Sequence, residues 1–168
     1  MKYFEVEQKY RIQNPKRVRS LFKKLDAKKI AAGSESNEFF DRKGSLSKRK
    51  IALRLRRFGN KAVLTLKGPR LRSKFTKRME IETPVDYKSV KTILGLSGFK
   101  VARRYEKKRE LYLLGKCAVV LDHLKKFGWF LEIEGGPKAI AKVERQLGLK
   151  KNDREKKSYL HMLFGWKH

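Results

Sequence analysis

Six of the chain's twelve glutamates stand in three Glu-x-Glu pairs: Glu5/Glu7 in FEVEQKY, Glu80/Glu82 in MEIET and Glu132/Glu134 in LEIEG. Carboxylates two residues apart on a strand share a face, where their like charges repel unless an opposite charge lies between them. Bases are spaced in the same way: Lys9 follows the first pair, Arg78 precedes Glu80, and Arg54-x-Arg56, Lys67 and Lys107-x-Arg109 complete the set. Paired carboxylates suit hard divalent cations, which prefer oxygen ligands, and clustered Arg and Lys suit a multiply charged phosphate chain. The chemistry open to such a set is phosphoryl transfer, in which positioning and charge stabilisation do most of the catalysis. No dedicated nucleophile is required. His123, His161 and His168 are scattered without a Ser or Cys partner, and Cys117, in the apolar run KCAVVLD, reads as a buried core residue.

Strands must carry these side chains. Residues 3 to 12 alternate Tyr3, Glu5, Glu7, Lys9 and Arg11 with Phe4, Val6, Tyr10 and Ile12, a period-two pattern. NEFFD reads as a short strand. IALRLRRF and KAVLTLKG, joined by a turn at FGN, form a hairpin, LRSKF reads as a basic loop, and TKRMEIET aligns Thr76, Arg78, Glu80 and Glu82. Three further strands lie in GFKVARRYEKKRELYLL, KCAVVLDHL and WFLEIEG. Helices are expected from Asn14-Pro15, from Pro84, from about Pro137 to Leu147, and near SYLHMLF.

For any one strand the plain reading is a half-exposed sheet with a wet, charged face. Eight strands, however, can close into a barrel, which turns that face into a lumen. The expected fold is a single α+β domain over residues 1–168, a closed eight-stranded antiparallel barrel with helices packed outside. The chain is long enough to bury a proper core and 40% hydrophobic. One cysteine excludes a disulfide framework, and no apolar run approaches the ~18 residues of a membrane-spanning helix. The expected compartment is the cytoplasm. A formal net charge of +28 points to polyanions as partners.

FEVEQKY resembles the E-x-E-x-K signature of the CYTH superfamily, the triphosphate tunnel metalloenzymes that include class IV adenylyl cyclases and thiamine triphosphatases. The resemblance runs in order through EFFD ending at Asp41, Arg54-x-Arg56, Lys67 in TLKGP, Arg78-x-Glu80-x-Glu82, Lys107-x-Arg109, Asp122 in VVLDHL, Glu132-x-Glu134 and SYLHML. It implies a barrel open as a tunnel. It implies Mg²⁺ or Mn²⁺ at Glu5, Glu7, Asp122, Glu132 and Glu134, with Glu80 or Glu82 balancing the bases or touching a second metal. Lys9, Arg54, Arg56, Lys67, Arg78, Lys107 and Arg109 would grip the triphosphate, and Lys156 or Lys157 could reach it from near the C-terminal helix. Asp41 and Tyr159 are expected to be structural, and His123 to be a strand-end residue.

The leading expectation is therefore a metal-dependent phosphohydrolase acting on inorganic tripolyphosphate or on a nucleoside or thiamine triphosphate. The first alternative is a class IV adenylyl cyclase converting ATP to cAMP and pyrophosphate. Others are a catalytically silent triphosphate binder and a nucleic-acid or polyphosphate binder using exterior clusters such as Lys48-Arg49-Lys50 and Arg70 to Lys74. The chain is expected as a monomer or homodimer.

Overall fold

A computed structural model describes residues 4–166; Tyr3 and His168 lie outside them. Eight antiparallel strands close into a barrel: β1 (Phe4–Ile12), β2 (Lys28–Asp41), β3 (Ala52–Phe58), β4 (Lys61–Leu71), β5 (Thr76–Val85), β6 (Lys100–Leu114), β7 (Cys117–Leu124) and β8 (Gly128–Glu134), in the spatial order β1-β5-β4-β3-β2-β6-β7-β8. Among the described residues five α-helices accompany them: α1 (Pro15–Lys24), α2 (Ser45–Lys48), α3 (Tyr87–Leu96), α4 (Pro137–Gln146) and α5 (Tyr159–Phe164). Among the described residues no helix is long and apolar enough to cross a membrane.

Local chemistry sets the helix starts. The Asn14 side chain accepts the Arg17 N–H at 3.0 Å, and Pro15, which has no N–H to satisfy, follows it. Pro84 does not open the second helix as the sequence suggests. It lies within β5, and Asp86 caps α3 instead, accepting the Ser89 N–H at 2.8 Å. Among the described residues β1 pairs with β5 over Thr76–Met79, and the end of β5 that carries Pro84 is paired on one side, by β4, the setting in which a strand tolerates proline. β2 is also far longer than NEFFD. Its first half, KKIAAGSES, carries no apolar alternation and is drawn into the sheet by pairing with β6. The stretch read as a basic loop splits: Leu71 ends β4, and Phe75 is buried.

The apolar faces of the strands point outward, so the hydrophobic core lies between the barrel wall and its helices. α1 and α4 bury Phe22, Ile140 and Val143 against Tyr10, Leu121, Leu131 and Ile133, while α3 lays Leu94 over Phe40, Leu53 and Leu55. Cys117 is buried in the first cluster, where a Cβ on neighbouring Gly135 would stand 2.9 Å from its Sγ. The small residue there lets β7 and the end of β8 approach.

α5 departs from the expected arrangement. It does not pack on the outside but stops one end of the barrel, setting Tyr159 against Phe130 and Leu124 and Leu160 against Phe39 and Ala52. Ser158 caps it, and Gly165 ends it in the left-handed region at φ 66°. The strap before it is tied to the wall through the Glu155 N–H to the Lys9 carbonyl, 2.9 Å, and Arg70 Nη1 to the Lys156 carbonyl, 2.6 Å. The tunnel is therefore a chamber with one stopped end.

Because the outer clusters hold the barrel together, Leu55→Ala should lower unfolding stability by about 2–5 kcal/mol in chemical denaturation, as for a fully buried leucine elsewhere. A loss below about 1 kcal/mol would mean that the α3 cluster contributes little.

Candidate active site

The chamber has a volume of about 800 Å³, and its lining is charged. Glu5, Glu7, Lys9, Arg54, Arg56, Lys67, Arg78, Glu80, Glu82, Lys107, Arg109, Glu132 and Glu134 all line it. The three Glu-x-Glu pairs, up to 127 positions apart in the chain, come together on three neighbouring strands, β5, β1 and β8. Register fixes their neighbours: Glu5 lies beside Arg78, Glu7 beside Glu134 and Lys9 beside Glu132. Across the lumen β3 and β6, on either side of β2, carry Arg54, Arg56, Lys107 and Arg109. One wall is mainly acidic and the facing wall mainly basic.

Ion pairs join the walls at both seams. Along β3, β4 and β5, Arg54 and Arg56 reach Glu82 at 3.2 and 3.3 Å, and Lys67 reaches Glu80 at 2.6 Å and Glu5 at 3.1 Å. Along β6, β7 and β8, Arg109 holds Asp122 at 2.7 Å and Glu132 at 3.0 Å, and Lys9 meets Glu132 at 3.1 Å. Asp122 is fully buried on the inner face of β7, beneath the bases; its oxygens also accept from Lys107 at 2.9 Å and from the Tyr159 hydroxyl at 3.0 Å. The ring of Tyr159 lies under Lys9 Nζ, 3.8 Å from the ring centre, and under Lys107, at 4.6 Å. The plug thus positions two of the bases.

Some expected residues stand elsewhere. Asp41 caps α2, accepting the N–H groups of Arg42, Leu46 and Ser47, as expected for a structural residue. His123 packs at a tilt against Trp129, with ring centres 4.7 Å apart, and does not line the cavity. Lys156 and Lys157 are exposed on the strap and do not line the chamber. Sequence reasoning missed Glu35, which is buried in the basic wall between Lys107 at 3.3 Å and Arg109 at 3.2 Å and accepts from Asn37 at 3.0 Å. The inward alternation Glu35, Asn37, Phe39 was readable, but only on a strand beginning earlier than NEFFD.

Pairing does not balance every charge. Burial, then the charges of Glu5 and Glu132, raise the Glu7 carboxyl above its ordinary range. Burial acts against Glu5 and Glu132 as well, but Lys67 and Arg78 hold the first well below the usual carboxylate range, and Lys9, Lys107 and Arg109 the second. On the other wall, burial and the neighbouring Arg54 cation depress Arg56. Nε and Nη1 of Arg78 and Nε of Arg54 are buried without a hydrogen-bond acceptor. The acidic wall is thus short of a cation around Glu7, while Arg54 and Arg56 on the basic wall, and Arg78 among the acids, are short of an anion.

Among the described residues no three His, Cys, Asp or Glu side chains converge as a ready-made metal cage. The donor set nevertheless fits Mg²⁺ or Mn²⁺, which take one or two carboxylates and leave the remaining positions to water and phosphate oxygens. The crowding at Glu7 is what such an ion would relieve.

Over residues 4–159 the sequence matches the family model described as the CYTH domain. The chain belongs to the CYTH domain family. Among curated relatives, a Methanocaldococcus jannaschii protein provisionally named adenylate cyclase is 28% identical, the match covering 94% of this chain and 97% of that one. A Vibrio parahaemolyticus structure, also provisionally named adenylate cyclase, superposes with a TM-score of 0.86 at 25% identity, covering 97% and 99% of the two chains. A Hippeastrum protein first named as an adenylyl cyclase and described as having a dominant triphosphatase activity shares the fold, with a TM-score of 0.74 at 20% identity over 98% and 97%.

Glu80 in this CYTH barrel gives a pH prediction for the metal-free protein. Burial, then the hydrogen bond to Glu5, push its carboxyl from 4.5 up to about 8. A raised carboxyl binds its proton more tightly folded than unfolded, so its stabilisation is full below pH 4.5 and is lost as the pH rises to about 8. Glu80→Gln, which keeps the neutral shape, should lessen the fall in stability between pH 5 and 8 by on the order of 2 kcal/mol, read from urea midpoints. An unchanged pH profile would remove Glu80 as its source.

Proposed function

We propose that this barrel is a metal-dependent phosphohydrolase acting on a triphosphate drawn into the chamber. The observation that carries the reading is the opposition of the two walls: glutamates crowded on β5, β1 and β8 face arginines and lysines on β3 and β6 across an enclosed lumen. A polyphosphate chain presents negative oxygens along its whole length, so it satisfies the basic wall at several points together. Arg54, Arg56 and Arg109 bind and orient it, and Lys9 and Lys67, at the seams, stand where charge builds on the non-bridging oxygens during transfer.

Mg²⁺ or Mn²⁺ held by Glu5, Glu7, Glu132 and Glu134 would neutralise phosphate charge and make a bound water more acidic. Asp122 is given a different role from the one that the family resemblance implies. With its oxygens already accepting from Lys107, Arg109 and Tyr159, it fixes the bases in place. Glu35 does the same from β2, and both keep the guanidinium of Arg109 aimed along the wall. Because α5 stops one end, the phosphate chain enters by the other with its terminal phosphate leading.

Hydrolysis asks only for the two walls and a water. Cyclisation further asks that a ribose 3′-hydroxyl be aligned on the α-phosphorus, and the names carried by the archaeal and Vibrio relatives keep that outcome in the test. With Mg²⁺ or Mn²⁺, the protein should release orthophosphate from tripolyphosphate, ATP or thiamine triphosphate. Glu7→Gln and Glu132→Gln should each lower that turnover by roughly 100-fold or more. Glu7→Gln should keep the fold because it relieves a like-charge cluster, whereas Glu132→Gln, which takes a partner from Lys9 and Arg109, should cost some stability while the barrel persists. Cyclic AMP as the main product from ATP would replace the hydrolase reading with the cyclase one. Unchanged turnover in either variant would refute the carboxylate assignment.

A further inference from the structure

The chamber lining is nearly neutral, seven carboxylates against eight bases, so almost the whole excess of +28 lies outside it. Antiparallel alternation concentrates much of that excess. β1, β2, β4 and β7 all end at the stopped end, and β3, β5, β6 and β8 begin there, so the connections at 42–51, 72–75 and 125–127 share that end with the strap at 150–158. Each of those four segments is a basic run: RKGSLSKRK, RSKF, KKF and KKNDREKKS. Arg49, Arg72, Lys74, Lys125, Lys126 and Lys156 are exposed there, and none forms an ion pair among the described residues.

The acids at this end are already engaged. Asp41 caps α2, Asp153 accepts the Lys150 N–H, and Glu155 is paired with Arg11 at 2.7 Å. The bases therefore face solvent as a set drawn from four separate segments, spread across one end of the barrel. A phosphate every few ångströms along a flexible backbone matches charges distributed in this way. A lipid surface matches less well, because stable attachment also needs an outward apolar helix face, whereas α5 turns Tyr159 and Leu160 into the barrel. The exposed ring of Phe164, with the Arg103 guanidinium 5.7 Å from its centre, offers a stacking platform for a base.

We infer that the stopped end is a docking face for the phosphate backbone of a nucleic acid, separate from the chamber and without sequence preference. Fluorescence anisotropy with a short 5′-hydroxyl RNA of arbitrary sequence tests this, because that RNA offers the chamber no triphosphate end. Binding should weaken steeply with salt and should persist within about twofold in Glu132→Gln. The combined change Arg72→Glu, Lys74→Glu, Lys125→Glu and Lys126→Glu should lower affinity at least tenfold and reduce the log–log salt slope by about three, with triphosphate turnover retained. The same change of net charge at the open end, Lys24→Glu, Lys28→Glu, Lys116→Glu and Lys138→Glu, should cost less than about threefold. Equal losses from the two sets would mean that net charge alone attracts RNA and would overturn the docking face. So would the absence of RNA binding, including the case in which phosphatidylserine vesicles bind instead.

Discussion

Closing this barrel takes more than a dozen charges out of bulk water, and the rest of the structure follows from that cost. An unpaired charge in such an interior is held at a penalty of several kcal/mol, which the protein meets by pairing acid with base along both seams of the lumen. The pairing is incomplete by design of the strand order. Three glutamate pairs share one wall, so Glu7 keeps like-charged neighbours; Arg54 and Arg56 share the other, so Arg56 does too. In the proposed reading a cation beside the first and a phosphate chain beside the second would relieve both at once. Being of opposite charge, each would favour the other's binding, and to the same extent in both directions.

The same constraint turns the protein inside out relative to a sheet packed on one core. Charges occupy much of the concave face, above the apolar floor under α5, so most apolar side chains of the sheet point outward, and α1, α3 and α4 cover them. α5 has another task. By setting Tyr159 under Lys9 and Lys107 and against Asp122, it converts an open tube into a chamber and holds part of its basic lining rigid. Stability and site geometry are thus kept on opposite faces of the same strands.

Much of this was legible in the sequence because a strand's period is two and its charges declare the face they occupy. Alternation alone placed Glu5, Glu7, Lys9, Arg54, Arg56 and Lys67 on one side of their strands, and all of them line the chamber. Glu35 was not legible, since small and polar residues hid the first half of β2, which pairing with β6 supports. Pro84 misled because its usual place at a helix start competes with its tolerance at a strand end with a free side. That α5 enters the barrel had no local signal; it depends on Phe39 and Phe130, from distant strands, leaving an apolar floor there. Nor did spacing show that four basic segments share one end, which is a consequence of strand direction.

The most direct test of the two-wall account is where a cation and a triphosphate settle. Crystals grown with Mn²⁺ and a non-hydrolysable triphosphate analogue would locate the ion by anomalous scattering. The account predicts an anomalous peak beside Glu7 and Glu132, with phosphate oxygens against Arg54, Arg56 and Arg109 inside the chamber. Manganese bound away from the β5–β1–β8 wall, or an analogue bound only on the outer surface, would contradict it.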